Sequence, residues 1–396
     1  MKNPSYRYPR TSSLHRTILC LICLLTIVGH AQGFRILKKS HYIVKKSSAY
    51  SGITIRDDNG PTVNQAAIPF PHVFEEIYPE DYLDFLVLGD WGYQAKGVGE
   101  KKGDQVHVAS AMENMTQEYG TQFIINVGDS FYKSHRDDYQ GVNSVDDNKW
   151  KTVWSDVYHG RLAEIPWYSV AGNHDWYNNV TAEVDYFWTK NHRFFLPALF
   201  YVRHSYFGPQ RIKVTWIHID TNIFYYDYGY LDDRNSLKSN FRAFEMDKPG
   251  MITDRLKWIE EKLEENQDSK WIFVVGHHPL IGSCASKHLM SRLPLLFKIY
   301  GVTAYFSGHS HTLEYQSSKL SSPTTYFTSG SGSRFGSGCD GKDWGVPSGT
   351  LGFLHVRING NSSKLDFQYV NATTYESEIL HQGTVDAIPF IYPKEY

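Results

Sequence analysis

Five short motifs in this chain of 396 residues join a glycine to a side chain that can bind a metal ion. The motifs are Gly89-Asp90, Gly128-Asp129, Gly172-Asn173, Gly276-His277 and Gly308-His309-Ser310-His311. Carboxylate, amide and imidazole groups are ligands of iron, zinc and manganese. A single Gly-Asp pair is usually a turn, so the indication of a metal site comes from the recurrence of the pattern.

Each motif follows a short apolar run that predicts a β-strand. The runs cover residues 85–88, 123–127, 167–170, 271–275 and 304–306. Helices are predicted near 104–119, after the N-cap candidate Thr253, and near 289–300. Strands that alternate with helices indicate an α/β sheet buried on both faces, and groups at the carboxyl ends of its strands collect at one edge. We therefore expect the five motifs to meet.

The charge of the chain excludes some partners. Its 40 Lys and Arg residues nearly balance 42 Asp and Glu residues, for a net charge of −2. Such a balance gives no reason to expect nucleic acid or an anionic membrane as a partner. A site that handles phosphate must then draw positive charge from elsewhere, and bound metal is one source.

The N-terminus predicts entry into the secretory pathway. Basic residues precede an apolar run over 17–28, which is shorter than the roughly twenty residues of a membrane-spanning helix. We predict a signal peptide over 1–31, a pro-segment or irregular arm over 32–80, one catalytic domain over 81–380 and a tail over 381–396. The mature protein is expected to be a monomer without a stable membrane span, either secreted or held in the lumen of a lysosome or vacuole.

Two cysteines remain after removal of such a signal peptide, Cys284 and Cys339. In an oxidising compartment they favour one disulfide, with two unpaired thiols as the alternative. Four sequons permit N-glycosylation in a eukaryotic host, at Asn114, Asn179, Asn361 and Asn371.

The motifs, with their neighbours, resemble those of a known family. The quoted blocks are Gly89-Asp90-Trp91-Gly92, Gly128-Asp129-Ser130-Phe131-Tyr132, Gly172-Asn173-His174-Asp175, Gly276-His277-His278-Pro279 and Gly308-His309-Ser310-His311. They look like the five blocks of the purple acid phosphatases, of the small mammalian-type (tartrate-resistant) branch, within the calcineurin-like metallophosphoesterases. The resemblance covers roughly Asp84 to Val370 and implies a four-layer α/β/β/α sandwich.

The resemblance also implies two metal ions and their ligands. An Fe(III) ion would be held by Asp90, Tyr132 and His311. A divalent iron, zinc or manganese ion would be held by Asn173, His277 and His309, and Asp129 would bridge the two ions. Phenolate and carboxylate are hard donors suited to Fe(III), whereas neutral imidazole and amide suit a borderline divalent ion.

Tyr132 distinguishes this chain from other metallophosphoesterases. Many of them begin with Gly-Asp-x-His, but here Gly92 occupies the histidine position and a tyrosine follows Asp129 by three residues. This pattern disfavours a protein Ser/Thr phosphatase or a di-manganese phosphodiesterase. The simpler alternative is that Tyr132 is a core aromatic residue.

The implied activity is acid phosphatase, which hydrolyses phosphate monoesters. As a hypothesis, a metal-bound hydroxide attacks phosphorus in line, His174 gives a proton to the leaving group, and Asp175 orients His174. A trivalent ion acidifies water strongly, so we expect an acidic pH optimum.

Some features keep other functions open. His278 stands where the nearest relatives tend to carry an aromatic residue, and Ser310 where they tend to carry an aspartate. Residues 224–250 are predicted to form a long loop, which is either a lid over the site or a simple surface loop. The alternative functions are a metallophosphodiesterase or nucleotidase with the same metal ligands, and a non-catalytic scaffold derived from this fold. Scaffold relatives tend to lack the metal ligands, all seven of which are kept here.

Overall fold

The structure is a computed structural model, and it describes residues 41–45, 68–93, 105–134, 137–226, 237–243, 248–281, 284–285, 291–319 and 323–388. Contacts divide the chain into Met1–Tyr42 and Ile43–Tyr396, and the site discussed below lies in the second unit. The predicted signal peptide lies outside the described residues, as do most of the predicted arm and the last eight residues of the predicted tail.

Strands and helices alternate through the first two thirds of the chain, and strands dominate the last third. The strands are β1 (His41–Lys45), β2 (Val73–Tyr78), β3 (Tyr82–Leu88), β4 (Phe123–Asn126), β5 (Trp167–Ser169), β6 (Phe194–Phe195), β7 (Tyr201–Phe207), β8 (Ile212–His218), β9 (Trp271–Val275), β10 (Ala304–Ser307), β11 (Leu313–Gln316), β12 (Thr325–Ser329), β13 (Trp344–Gly345), β14 (Gly352–Asn359), β15 (Lys364–Asn371) and β16 (Glu378–Asp386). The α-helices are α1 (Gln105–Tyr119), α2 (Asn173–Trp176), α3 (Val180–Thr189), α4 (Asn222–Tyr225), α5 (Leu237–Ala243), α6 (Met251–Glu265) and α7 (Arg292–Ile299). A π-helical segment covers Trp150–Ser155 and a 3-10 turn covers Gly160–Ala163.

The strands form two mixed sheets. Sheet A has the order β1-β2-β7-β8-β9-β10-β12-β11-β13, and sheet B has the order β16-β15-β14-β3-β4-β5-β6. Neighbours β3, β4 and β5 of sheet B are parallel, and so are β9 and β10 of sheet A. These are the five strands that precede the five motifs, so the carboxyl ends of the motif-bearing strands share one edge in each sheet.

Aromatic side chains fill the space between the two sheets. The ring of Phe85 in β3 lies 5.1 Å from that of Trp216 in β8 and 6.0 Å from that of Phe306 in β10, measured between centroids. The ring of Phe123 in β4 lies 5.5 Å from that of Trp216. All four side chains are fully buried. Such large apolar groups bury much surface, and they fix the distance between the sheets.

A helical layer covers the outer face of each sheet. Helix α1 contacts β14 of sheet B through a face that buries Val108 and Met112. Helix α7 packs the Phe297 ring 5.6 Å from the Tyr305 ring of β10 in sheet A. The predicted four-layer α/β/β/α sandwich is therefore confirmed.

The predicted strands and helices are present, and some details differ from the prediction. Helix α6 begins at Met251 after Gly250, so Thr253 lies inside its first turn and is not the N-cap. Residues 73–78, predicted to be irregular, form β2, which pairs in parallel with β7. Strand β16 covers Glu378–Asp386 and so spans residue 380, while the division into domain and tail stays a prediction. We missed β2 because its buried face includes Glu76, whose carboxylate pairs with Arg203 at 2.9 Å.

The segment 224–250 contains regular structure. Helix α4 occupies its beginning and α5 its middle, and residues 227–236 and 244–247 lie outside the described part. The Phe241 ring of α5 lies 4.7 Å from the Trp176 ring of α2, and the Asn240 amide donates to the carbonyl of Trp176 at 2.6 Å. The segment therefore packs beside the third motif, and its predicted role as a lid stays a prediction.

The predicted disulfide is confirmed. Cys284 and Cys339 are bonded, with their Cα atoms 5.4 Å apart and a sequence separation of 55 residues. The bridge joins the loop after β9 to the segment after β12. None of the helices in the described ranges is both long and apolar enough to cross a bilayer.

Removal of this bridge is expected to destabilise the protein. Cys339→Ala should lower the free energy of unfolding by about 2–4 kcal/mol, because the unfolded chain loses a constraint on a long loop. Denaturant titration measures this change. Cys284→Ala and the double variant should show the same loss as Cys339→Ala, since each removes the same bond. A double variant twice as destabilised as either single variant would contradict the shared bridge.

Candidate metal centre

Strained backbone marks three of the five motifs. Asp90, Asp129, His309 and His311 have φ angles of 56°, 54°, 69° and 53°. Among the non-glycine residues of the described part, Arg211 alone shares a positive φ. Such a conformation costs of order 1–3 kcal/mol and persists where the surroundings impose it, typically at functional sites. The strain therefore points to the same residues as the sequence motifs.

A first cluster gathers around the Tyr132 hydroxyl group. That oxygen lies 2.9 Å from Asp90 Oδ1, 2.9 Å from Asp129 Oδ2 and 3.2 Å from His311 Nε2. A phenol has one hydrogen to donate, so it cannot donate to both carboxylates at once. A cation between these four side chains would satisfy them all, and the set of donors fits a hard metal ion.

A second cluster gathers around the Asn173 amide oxygen. Asn173 Oδ1 lies 2.9 Å from His309 Nδ1 and 3.3 Å from His277 Nε2. Asp129 connects this cluster to the first, because its Oδ1 lies 3.4 Å from His277 Nε2 while its Oδ2 contacts Tyr132. The structure thus brings all seven predicted metal-site residues together, with one oxygen of Asp129 facing each cluster.

Neighbouring groups fix the orientation of the second cluster. His277 Nδ1 donates to the carbonyl of Val127 at 2.8 Å, which leaves Nε2 facing Asn173. The Asn173 amide nitrogen donates to the Tyr177 hydroxyl at 2.9 Å, which turns Oδ1 toward the two histidines. Partners of this kind hold metal ligands in place and fix their tautomers.

Two close approaches of the backbone depend on glycine. A Cβ added at Gly92 would lie 1.8 Å from the Ser130 carbonyl oxygen, so this position has no room for the histidine of the Gly-Asp-x-His motif. A Cβ added at Gly172 would lie 2.2 Å from Asp129 Oδ1. The loops therefore pack too closely for any side chain at these two positions.

The charges of Asp129 and His277 stabilise each other. Burial raises the pKa of Asp129, but the rings of His277 and His174 hold it well below its usual range. Burial lowers the pKa of His277, yet Asp129 raises it to about 9. A metal ion that binds His277 Nε2 must therefore displace a proton, so metal affinity is coupled to pH.

Tyr132 is a neutral phenol when no metal ion is bound. Burial raises its pKa well above the usual range, and the carboxylates of Asp129 and Asp90 raise it further. Arg334 opposes them, with its guanidinium carbon 4.8 Å from the centroid of the Tyr132 ring.

His174 lies beside the first cluster and is partly open to solvent. Its ring centroid is 4.3 Å from that of Tyr132, its Nε2 is 3.9 Å from Asp129 Oδ2, and its side chain is 19% exposed. Its Nδ1 lies 2.8 Å from Gln140 Oε1. Burial lowers the pKa of His174 to about 4, although Asp129 opposes this shift.

Gln140, and not Asp175, is bonded to the His174 ring. The Asp175 carboxylate instead accepts backbone N–H groups from Gly172 at 2.7 Å, Asp129 at 3.0 Å and Ser130 at 2.9 Å. Consecutive helical residues point in different directions, which is why Asp175 does not follow His174. Its position joins the loop after β5 to the loop after β4.

Sequence analysis missed three residues of this site. Tyr177 follows Asn173 by four residues, which is a helical spacing that the sequence does show. Gln140 and Arg334 lie in irregular segments without a motif. Only the folded structure brings these two side chains to His174 and Tyr132.

Comparisons with known proteins agree with this geometry. The calcineurin-like phosphoesterase family matches residues 83–313. Tartrate-resistant acid phosphatase type 5 of Homo sapiens is 29% identical over 312 residues, which cover 76% of this chain and 86% of the human protein. Purple acid phosphatase 7 of Arabidopsis thaliana is 29% identical over 322 residues, with coverage of 76% and 86%.

Several solved structures share the fold. Among them is GAP50, the anchor in the inner membrane complex of Plasmodium, with a TM-score of 0.60 and 21% sequence identity. The match covers 77% of this chain and 89% of that chain.

Asp175→Asn tests whether the Asp175 carboxylate holds the loops after β4 and β5 together. The amide NH₂ group of asparagine cannot accept the N–H bonds that one carboxylate oxygen accepts, so the free energy of unfolding should fall by about 1–3 kcal/mol. Metal content should fall with it, because Asp129 and Asn173 lose their common support. Denaturant titration and elemental analysis measure the two effects.

Asp84→Asn is the matched control. Asp84 is a buried carboxylate outside the centre that accepts bonds from Thr121 and Arg357. We expect this variant to lose stability and to keep its metal. Full metal content in Asp175→Asn would show that the hydrogen bonds of the Asp175 carboxylate are not needed to hold the two clusters together.

Proposed function

This chain belongs to the calcineurin-like phosphoesterase family, and we propose that it is an acid phosphatase that hydrolyses phosphate monoesters. The proposal rests on the position of Asp129, which presents one oxygen to each of two clusters of potential metal ligands. A phenol in one cluster, Tyr132, favours the acid phosphatases over the other metallophosphoesterases. The two relatives matched by sequence at 29% identity are named acid phosphatases.

We infer a metal for each cluster from the chemistry of its donors. Asp90, Tyr132 and His311 would hold Fe(III), Asn173, His277 and His309 would hold divalent iron, zinc or manganese, and Asp129 would bridge them. When bound, the pair supplies positive charge for the phosphoryl group and an acidified water as nucleophile. The confirmed disulfide fits a secretory-pathway protein.

His174 is proposed to donate the proton that the leaving oxygen needs. Its Nδ1 is engaged by Gln140, so Nε2 is the nitrogen free to transfer a proton. The pKa of His174 is about 4, so the proton-donating form predominates below that pH and is lost as the pH rises. The low pKa of His174 is therefore a second reason to expect an acidic pH optimum, besides the acidity of the water that the metal ions would bind.

Two other functions stay open to test. A metallophosphodiesterase or nucleotidase would use the same ligands, and the ratio of monoester to diester turnover separates it from an acid phosphatase. A scaffold would need no metal. The presence of all seven ligand side chains in one place favours a catalyst.

Tyr132→Phe tests the iron assignment. The wild-type protein should be purple, because a phenolate bound to Fe(III) gives a charge-transfer band in visible light. The variant should lose this band in the absorption spectrum while it keeps its fold. Tyr177→Phe is the matched control and should stay coloured, since the Tyr177 hydroxyl bonds to Asn173 and not to the first cluster.

Other spectra would decide against the assignment. A colourless wild-type protein that contains iron would remove Tyr132 from the metal site. A protein with only zinc or manganese would favour the phosphodiesterase, and one purified without metal would favour the scaffold.

His174→Ala tests the proton donor. For an alkyl phosphate, whose leaving group needs a proton, kcat should fall by about 100-fold or more. For an aryl phosphate with a stable leaving anion, the loss should be several-fold at most. Steady-state kinetics between pH 3 and about pH 7 would also show that the decline of wild-type kcat/KM above about pH 4, seen with the alkyl ester, is absent in the variant.

His107→Ala is the control for this experiment. Its half-buried ring bonds to the Thr373 carbonyl, outside the two clusters, so both substrates should be turned over at wild-type rates. Equal losses for the two substrates in His174→Ala would refute the role of His174 as the acid.

A further inference from the structure

His278 is a second histidine at the end of β9, and the proposed metal ligands do not include it. Its side chain is fully buried. The ring stacks on Tyr225 with centroids 4.0 Å apart and planes inclined by 16°, and it lies 4.4 Å from the His309 ring. Packing on two sides therefore leaves this ring a single orientation.

A hydrogen bond from Thr221 fixes the tautomer of His278. Thr221 Oγ1 accepts the backbone N–H groups of His277 at 3.2 Å and His278 at 3.1 Å, which uses both of its lone pairs. Its own hydrogen is then available for His278 Nδ1, at 2.8 Å. Because Nδ1 accepts this bond, the proton of the neutral ring is on Nε2.

The Nε2–H group of His278 is a buried donor that has no hydrogen-bond partner among the described residues. Buried donors are nearly always satisfied, and an exception calls for a specific explanation. One ring nitrogen each of His277, His278 and His309 lies within 4.8 Å of the other two. His278 therefore borders the second cluster.

We propose that His278 is a fixed hydrogen-bond donor that binds an oxygen of the phosphoryl group in this site. The ligand class is a phosphate ester or inorganic phosphate, whose oxygens are strong acceptors. Direct ligation of a metal ion by Nε2 would require that nitrogen to lose its proton while Nδ1 still accepts from Thr221, which disfavours a third imidazole ligand. This inference rests on the proposed phosphatase function.

Two substitutions separate the donor from the aromatic ring. His278→Phe keeps a ring to stack on Tyr225 and removes the N–H group. His278→Gln removes the ring and places an amide N–H near the position of Nε2. Calorimetric titration of the metal-loaded protein with inorganic phosphate should show binding about 10- to 100-fold weaker in His278→Phe and largely restored in His278→Gln. Both variants should keep the wild-type metal content by elemental analysis.

His381→Phe is the matched control, because the His381 ring also stacks on an aromatic side chain, Trp344, with centroids 4.7 Å apart and planes inclined by 16°. It lies in β16, on another part of sheet B, and its substitution should leave phosphate binding unchanged. Wild-type phosphate affinity in His278→Phe would overturn the proposal. Loss of metal from both His278 variants would overturn it too, since it would make His278 a ligand.

Because phosphate binding is measured without turnover, the two hypotheses can fail separately. A wild-type protein that binds phosphate through His278 but hydrolyses no monoester contradicts the acid phosphatase function alone. A wild-type protein that hydrolyses monoesters and binds phosphate equally well with phenylalanine at position 278 contradicts the role of His278 alone. A metal-loaded wild-type protein that binds no phosphate contradicts both.

Discussion

The carboxylate of Asp129 sets the strictest geometric constraint in this structure. Its two oxygens face different clusters, one around Tyr132 and one around His277. Asp129 follows a strand of sheet B, whereas His277 follows a strand of sheet A. The site therefore requires the edges formed by the carboxyl ends of the strands to lie next to each other in the two sheets.

Hydrogen bonds donated by backbone N–H groups of the loops hold these two edges together. The Asp90 N–H donates to the Gly128 carbonyl at 3.0 Å, and the Gly89 N–H donates to the Ser329 carbonyl at 2.8 Å. The His309 N–H donates to Asp90 Oδ2 at 2.8 Å, which ties a loop of sheet A to one of sheet B. Four non-glycine residues in these loops have positive φ angles, so the aromatic core between the sheets must offset their conformational cost.

The sequence could indicate the seven candidate ligands, which the structure brings together, because each of them has a local signal. A buried strand, a glycine and a donor stand together five times, and parallel strands bring such positions to one edge. Strand β2 had a weaker signal, since a charged residue, Glu76, occupies its buried face. The role of Gln140 had no local signal, because the His174 side chain and the Gln140 loop meet only in the folded chain.

Asp175 shows a different limit of sequence analysis. Its place next to His174 predicted a catalytic partner, yet backbone geometry directs its carboxylate to three N–H groups of the metal-site loops. Neighbours in sequence share a loop without sharing a function. Distances between side chains therefore decide the role of a residue beside a motif, and the motif alone does not.

The electrostatics of His174 link substrate binding to proton donation. In the free protein, burial favours the neutral ring, with a pKa of about 4, while Arg334 and His311 add positive charge nearby. A phosphate ester brings negative charge to the same place, and a nearby negative charge raises the pKa of an imidazole. A bound phosphate ester therefore favours the protonated His174 ring, which is the form that can donate to a leaving oxygen. Once the phosphate has left, the same neighbourhood lowers the pKa of His174 again and favours the neutral ring.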